Sequence, residues 1–210
     1  MGITTAGLAT ALETFADRVR EAREELTALD SAIGDADHGI NMDRGMSAVR
    51  ELLPGLREGD AGSLFKQAGR TLISTVGGAS GPLYGTFFLR LGTTLGEAQE
   101  VAPGDLARGF RAGLEGIIAL GKANLDDKTM VDAMVPAVEA LEAGAETDVA
   151  AALGAAAGAA AAGRDRITPL VARKGRASYL GERSAGHQDP GATSTTLLFE
   201  AFRDALGSGD

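Results

Sequence analysis

Cysteine is absent from the sequence, so disulfides and thiolate metal sites are excluded. Aromatic residues make up only 4% of the chain, and runs of Val, Ile, Thr and aromatics are few, which argues against a β-rich architecture. Basic residues are outnumbered: 20 Lys and Arg stand against 29 Asp and Glu, a net charge of -9. That balance disfavours broad binding to nucleic acid or to anionic membranes. Long apolar runs are missing too, and the opening Met1-Gly2-Ile3-Thr4 has no basic region followed by an apolar stretch. The expectation is no signal peptide, no membrane span and a cytoplasmic protein. What is present is ordinary for a soluble globular chain: 44% hydrophobic and 23% charged residues over 210 positions. That is enough for one large domain or two small ones with a real core. Stretches rich in Ala, Leu, Glu and Arg dominate, and these residues favour helix.

Apolar spacing predicts eight helices. Leu8, Leu12, Phe15, Val19, Ala22, Leu26 and Leu29 fall at alternating steps of four and three, one stripe of one helix that stops at Asp30. A second helix, with Met42, Met46, Val49 and Leu53, ends at Pro54-Gly55. Asp60 is placed to cap a third, carrying Leu64, Ala68, Leu72 and Val76. A fourth begins around Pro82 with Leu83, Phe87, Leu91 and Leu95, and a fifth follows Pro103 and ends near Gly121. After a polar turn at 122–129, a sixth runs from about Met130 to Leu141, with Pro136 in it. Thr147-Asp148 opens a seventh, alanine-rich helix that reaches about Ile167, and Asp189-Pro190 starts an eighth with Leu197, Leu198, Ala201 and Phe202. The alanine run permits close helix contact, although helix propensity alone explains it equally well. No convincing strand, low-complexity linker or internal repeat is evident. The expected fold is an all-α, eight-helix antiparallel bundle or barrel, a single domain over residues 1–210.

Three segments between the helices carry the chemistry. In the first, Asp30, Asp35, Asp37 and His38 lie within nine residues. Three carboxylates confined to one short loop repel one another unless a cation joins them, and magnesium favours carboxylate oxygen together with phosphate and water. A solvated acidic loop, or a set of helix caps, is the plain alternative. Gly34 and Gly39, which permit tight turns around the acids, weigh against it, as do the strong helices on either side. An EF-hand does not fit: counted from Asp35, the fifth, sixth and twelfth positions are Gly39, Ile40 and Met46.

The second segment, Gly77-Gly78-Ala79-Ser80-Gly81-Pro82, precedes a helix, where backbone N–H groups and the helix dipole suit a phosphate. A flexible turn is its plain alternative. No Gly-Lys-Ser/Thr closes it, and in the nearest approach to a Walker loop, Gly116 to Ala123, Ala123 replaces the magnesium-binding hydroxyl. The third is the run Arg173, Lys174, Arg176 and Arg183 within residues 168–188. A loop of about 20 residues in a compact domain is usually functional or disordered, and arginine engages phosphate through paired hydrogen bonds. Taken alone, a basic run is more often a solvated surface. Ser184, His187 and Asp189 are too close in sequence for a hydrolase triad, and no nucleophile elbow is present. Charge links the three segments: the loop acids and a nucleoside diphosphate, with roughly three negative charges each, are nearly balanced by two divalent ions, with Lys174 and Arg176 supplying the rest.

These motifs, with Asp127-Lys-Thr-Met-Val-Asp132, Ala172 to Ser184 and Gly186 to Thr193, resemble in their order the L subunit, or nucleotide domain, of dihydroxyacetone kinases. The likeness spans nearly the whole chain. It implies an eight-helix barrel with ADP or ATP at one end. It implies that Asp30, Asp35 and Asp37 bind two Mg2+ ions bridging to the phosphates. His38, Gly39, Ile40, Asn41, Ala79, Ser80, Gly121, Met130, Arg176, Asp189, Pro190 and Gly191 would surround the nucleotide, with Gly81 adding a phosphate-facing amide. Ala36 stands where that family often has glycine, and Asn124-Leu125-Asp126 fills a variable turn; neither departure touches the implied ligands.

In that family dihydroxyacetone is held on a separate K subunit through a histidine hemiaminal. This chain has two histidines, both in the nucleotide motifs, and no room for a second domain. It is therefore read as one subunit, delivering a phosphoryl group to a ketone on its partner. In one mode, ADP stays bound and is rephosphorylated by a phosphohistidine protein of the phosphotransferase system, an M-type subunit. In the other, nucleotide exchanges at every turnover. A free-standing chain of this length favours the first. A kinase subunit for another small ketose or a fatty acid, and a nucleotide-dependent regulatory protein, stand as alternatives; the intact aspartate trio favours catalysis. A homodimer is left open.

Overall fold

The first apolar stripe makes two helices, not one. In the computed structural model, which describes residues 2–207, α1 (Thr5–Glu21) is interrupted at Ala22 and α2 (Arg23–Ile33) follows at once. The steps of four and three continue on both sides of Ala22, so periodicity alone joins them. Met1 and residues 208–210, the ends of the expected single domain, lie outside the described residues. The chain continues as α3 (His38–Leu52), α4 (Ala61–Thr75), α5 (Ser80–Leu95), α6 (Pro103–Gly121), α7 (Met130–Gly144), α8 (Val149–Ile167) and α9 (Pro190–Leu206). The eight expected helices thus become nine among the described residues, and the all-helical class holds. Residues Leu53–Gly55 and Arg176–Ser184 form 3-10 segments. A minimal antiparallel ladder pairs β1 (Ile3–Thr4) with β2 (Glu100–Val101), Ile3 opposite Val101.

Capping explains most helix starts. Thr4, Asp60, Asp148 and Asp189 each accept a backbone N–H of the first turn. Thr129 and Asp132 form a reciprocal capping box at the start of α7. The packing partners then close a ring: α1 on α3, α3 on α4, and so on through α9, which returns to α1. Short connections between such neighbours make the helices alternate in direction. The second helix stands outside this ring and packs against α3, α9 and the 3-10 segment Arg176–Ser184.

The ring encloses the apolar core. All seven phenylalanines are buried in it; Phe110 meets Phe87 and Phe202 edge-on, with ring centres 5.4 Å and 5.0 Å apart. Where α8 meets α7, the alanine run does more than favour helix. Ala152, Ala156, Ala157 and Ala160 are buried, and a side chain at Gly163 would strike the carbonyl of Asp132. No described helix is long and apolar enough to cross a membrane.

Candidate functional site

Alternation of direction gathers the starts of α3, α5, α7 and α9 at one end, beside the ends of α2 and α6. There they surround a cavity of about 300 Å3. Helix N-termini present unpaired N–H groups and positive potential, so this end of the barrel is suited to an anion.

The acidic wall is built first. Asp30 lies in the last turn of α2, which runs on to Ile33, three residues past its expected stop. One oxygen of its carboxylate accepts the N–H groups of Asp37 (2.8 Å) and His38 (3.1 Å). A carboxylate from the end of α2 therefore caps the start of α3. A side chain at Gly34 would collide with that carboxylate, which explains the glycine. Asp37 stands at the cap position of α3 but caps nothing with its own side chain. Asp35 pairs with Arg176 at 2.9 Å. An oxygen from each of Asp30, Asp35 and Asp37 lies within 4.8 Å of the others. Helix capping accounts for Asp30 alone; the crowding of all three is what a hard cation would relieve. The donor set is all oxygen and suits Mg2+.

His38 joins three helix starts. Its Nδ1 lies 3.1 Å from Ser80 Oγ on α5, and its Nε2 lies 3.0 Å from Ser194 Oγ on α9. Burial holds its pKa below the ordinary histidine range, although Asp30 and Asp37 push the other way. Ser194 also meets the Tyr84 hydroxyl at 2.8 Å, and burial raises the Tyr84 pKa to about 12. Asp189 caps α9 through the N–H of Ala192 at 2.7 Å. It is partly open to the cavity, yet dense protein around it and the nearby carboxylates of Asp132 and Asp30 outweigh Ala192 and Lys128 and raise its pKa to about 7.

Of the residues marked in the sequence, Asp30, Asp35, Asp37, His38, Asn41, Ala79, Ser80, Gly121, Met130, Arg176, Asp189, Pro190 and Gly191 border this cavity. Three do not border it. Gly39 is buried where α3 crosses α2, and a side chain there would meet the carbonyl of Arg23. Ile40 turns outward and is 50% exposed. Gly81 packs against the carbonyl of Val76 at the end of α4. Missing from the sequence reading was the apolar wall of Ile33, Leu83, Ile117, Ala123 and Val131. Such residues look like core positions until the ring is assembled. Lys128 was overlooked as a wall residue too, although it lies inside a motif already marked.

The DAK2 domain family matches residues 32–204. The chain is 50% identical over 179 residues to the ADP-binding subunit DhaL of the PEP-dependent dihydroxyacetone kinase of Escherichia coli K12, covering 84% of this chain and 85% of that one. It is 46% identical over 193 residues, 91% of each chain, to the ADP-binding subunit DhaL of PEP-dependent dihydroxyacetone kinase 1 of Listeria innocua. The crystal structure of the C. freundii dihydroxyacetone kinase in complex with AMP-PNP and Mg2+ aligns with a TM-score of 0.73 at 26% identity. The match covers 93% of this chain and 33% of that much longer one. This chain therefore belongs to the DAK2-domain family of phosphotransferases, among the nucleotide-binding L subunits of dihydroxyacetone kinases.

Proposed function

We propose that residues 1–210 act as a single nucleotide-binding domain. It holds ADP through two Mg2+ ions and passes a phosphoryl group to dihydroxyacetone carried on a separate K subunit. The observation that carries this reading is the meeting of three carboxylates within 4.8 Å at a cavity ringed by helix N-termini. Asp30, Asp35 and Asp37 would hold the ions. Bound there, Mg2+ supplies charge neutralisation for the phosphates.

The chain's own groups do the rest. Backbone N–H groups at the starts of α5 and α9 meet phosphate oxygens, and Gly78, with φ of 66°, bends the approach to α5. The apolar wall around Leu83, Ile117 and Met130 takes the base and keeps water from it. Arg176, which pairs with Asp35, would meet the terminal phosphates. Phosphoryl transfer depends chiefly on such positioning and charge balance.

The names of the relatives, PEP-dependent in E. coli and Listeria and PTS-dependent in Lactococcus lactis, favour retained ADP over exchange at each turnover. The donor would then be a phosphohistidine protein of the phosphotransferase system. Mass spectrometry of the gently purified protein tests the core claim, with bound ADP expected. Asp35→Ala and Asp37→Ala are expected to abolish nucleotide retention while far-UV circular dichroism stays helical. Retention equal to the wild type in both variants would remove the trio from the site. Rapid exchange of bound ADP with labelled ATP would overturn the retained-cofactor mode alone.

A further inference from the structure

Lys128 lies between the turn at Asn124–Asp127 and the capping box of α7, and it carries a charge where one is costly. It is 1% exposed, its φ is 63°, and burial lowers its pKa, with Asp189 opposing. No carboxylate lies within ion-pair distance of it among the described residues. Its ammonium instead donates to three main-chain carbonyls: Thr168 at 2.8 Å, Leu170 at 2.9 Å and Ser184 at 2.7 Å. An ammonium has three N–H groups, so all are committed.

The positions of those carbonyls matter. Thr168 and Leu170 lie where the chain leaves α8, and Ser184 lies at the far end of the 3-10 segment. The same two ends are joined directly, because the N–H of Gly186 donates to Thr168 O (2.9 Å) and that of Ala172 to Ser184 Oγ (2.9 Å). A further tie runs from the N–H of Arg173 to the carbonyl of Asp127 (3.0 Å). Residues 170–184 thus form a loop closed at its neck, with the Lys128 ammonium at the centre of the neck. That loop carries Arg176, whose guanidinium reaches Asp35 across the cavity mouth.

We propose that Lys128 is a positioning residue for phosphoryl transfer: by fastening both ends of the 170–184 loop, it holds Arg176 over the aspartate trio, where the phosphates bind. The proposal rests on the nucleotide reading given above. A neutral side chain would leave three carbonyls unpaired in the neck, and the loop would lose its fixed pose.

The test is a double-mutant cycle on Mg-ADP affinity, measured by calorimetry on the full chain stripped of nucleotide. Lys128→Met is expected to weaken binding about tenfold or more and to speed amide exchange in residues 173–183. In the Arg176→Ala background the same substitution is expected to weaken binding no further. Equal losses in both backgrounds would overturn the proposal, since a purely structural lysine acts without Arg176. So would unchanged affinity in Lys128→Met, or in Arg176→Ala; if Asp35→Ala still abolishes binding, the nucleotide reading survives either result. Absence of Mg-ADP binding by the wild type would remove both. Because the chain has no cysteine, Lys128→Cys alkylated in denaturant with bromoethylamine and refolded restores a single ammonium. Recovery of affinity is expected, and refolded protein without recovery would count against the proposal. If Lys128→Met does not fold, Lys128→Gln, which keeps two N–H donors, takes its place in the cycle.

Discussion

Ala36 shows how a single position can be read from sequence before its cause is visible. It adopts φ of 61°, a left-handed conformation that L-residues adopt at a cost and glycine adopts freely. Ala36→Gly is therefore expected to raise the unfolding temperature, by the equivalent of about 1 kcal/mol; calorimetric scanning without nucleotide checks this, and a lowered temperature would contradict it. Asp189 makes a second prediction at this scale. Its folded pKa is raised from 3.8 to about 7, so the unfolded chain releases its proton first. The contribution is neutral below the ordinary carboxylate range, and stability is lost as pH rises through the window up to about 7. Asn caps a helix as well as Asp does and removes the charge. Asp189→Asn, free of nucleotide, is expected to exceed the wild type by on the order of 1–2 kcal/mol at pH 8, with the gain shrinking steadily towards pH 4. Denaturant titrations at several pH values measure it; a gain that grew towards acid pH would reverse the assignment. The acids themselves were legible because clustered carboxylates are unusual. Ile40 and Gly81 lie off the cavity lining because a motif marks a stretch of chain, while each residue's direction follows from its turn of helix.

At the scale of elements, helices were easy to find and their ends were not. The positions of α4 to α9 follow from apolar spacing and caps such as Asp60 and Asp148. The break at Ala22 leaves no trace, since the stripe keeps its rhythm through it. The end of α2 was set too early at Asp30 for a different reason. That residue looks like a terminator, yet its carboxylate satisfies the first N–H groups of α3 across the turn, a tertiary relation between two helices that spacing cannot express. Residues 168–188 were read as a long open loop. They owe their order to a 3-10 segment and to the buried Lys128, and a lysine surrounded by polar residues gives no sign in sequence that it is buried. The glycines facing one another across α4 and α5 were equally silent: a side chain at Gly69 would meet the carbonyl of Gly85 at 2.7 Å, and this contact emerges only when the two helices pair.

At the scale of the whole molecule, the fold class and the acid cluster were legible, and the apolar wall of the cavity was not. Leu83 and Ile117 satisfy the helical stripe whether they face the phenylalanine core or open space, so only closure of the ring tells the two apart. The outlying position of α2 has a consequence for how the protein comes apart. Ring neighbours support one another all the way round, whereas α2 leans chiefly on α3, with smaller contacts to α9, the 3-10 segment and α1, and follows a break at Ala22. It also holds Asp30, one of the three acids proposed to bind Mg2+. Chelation is therefore expected to quicken hydrogen exchange in α2 and leave α5 and α6 as slow as before, a result that uniform quickening would contradict. On the proposed metal site the protein would behave as a drum with a tethered lid: emptied of cation, it would loosen at the rim while its wall stayed closed.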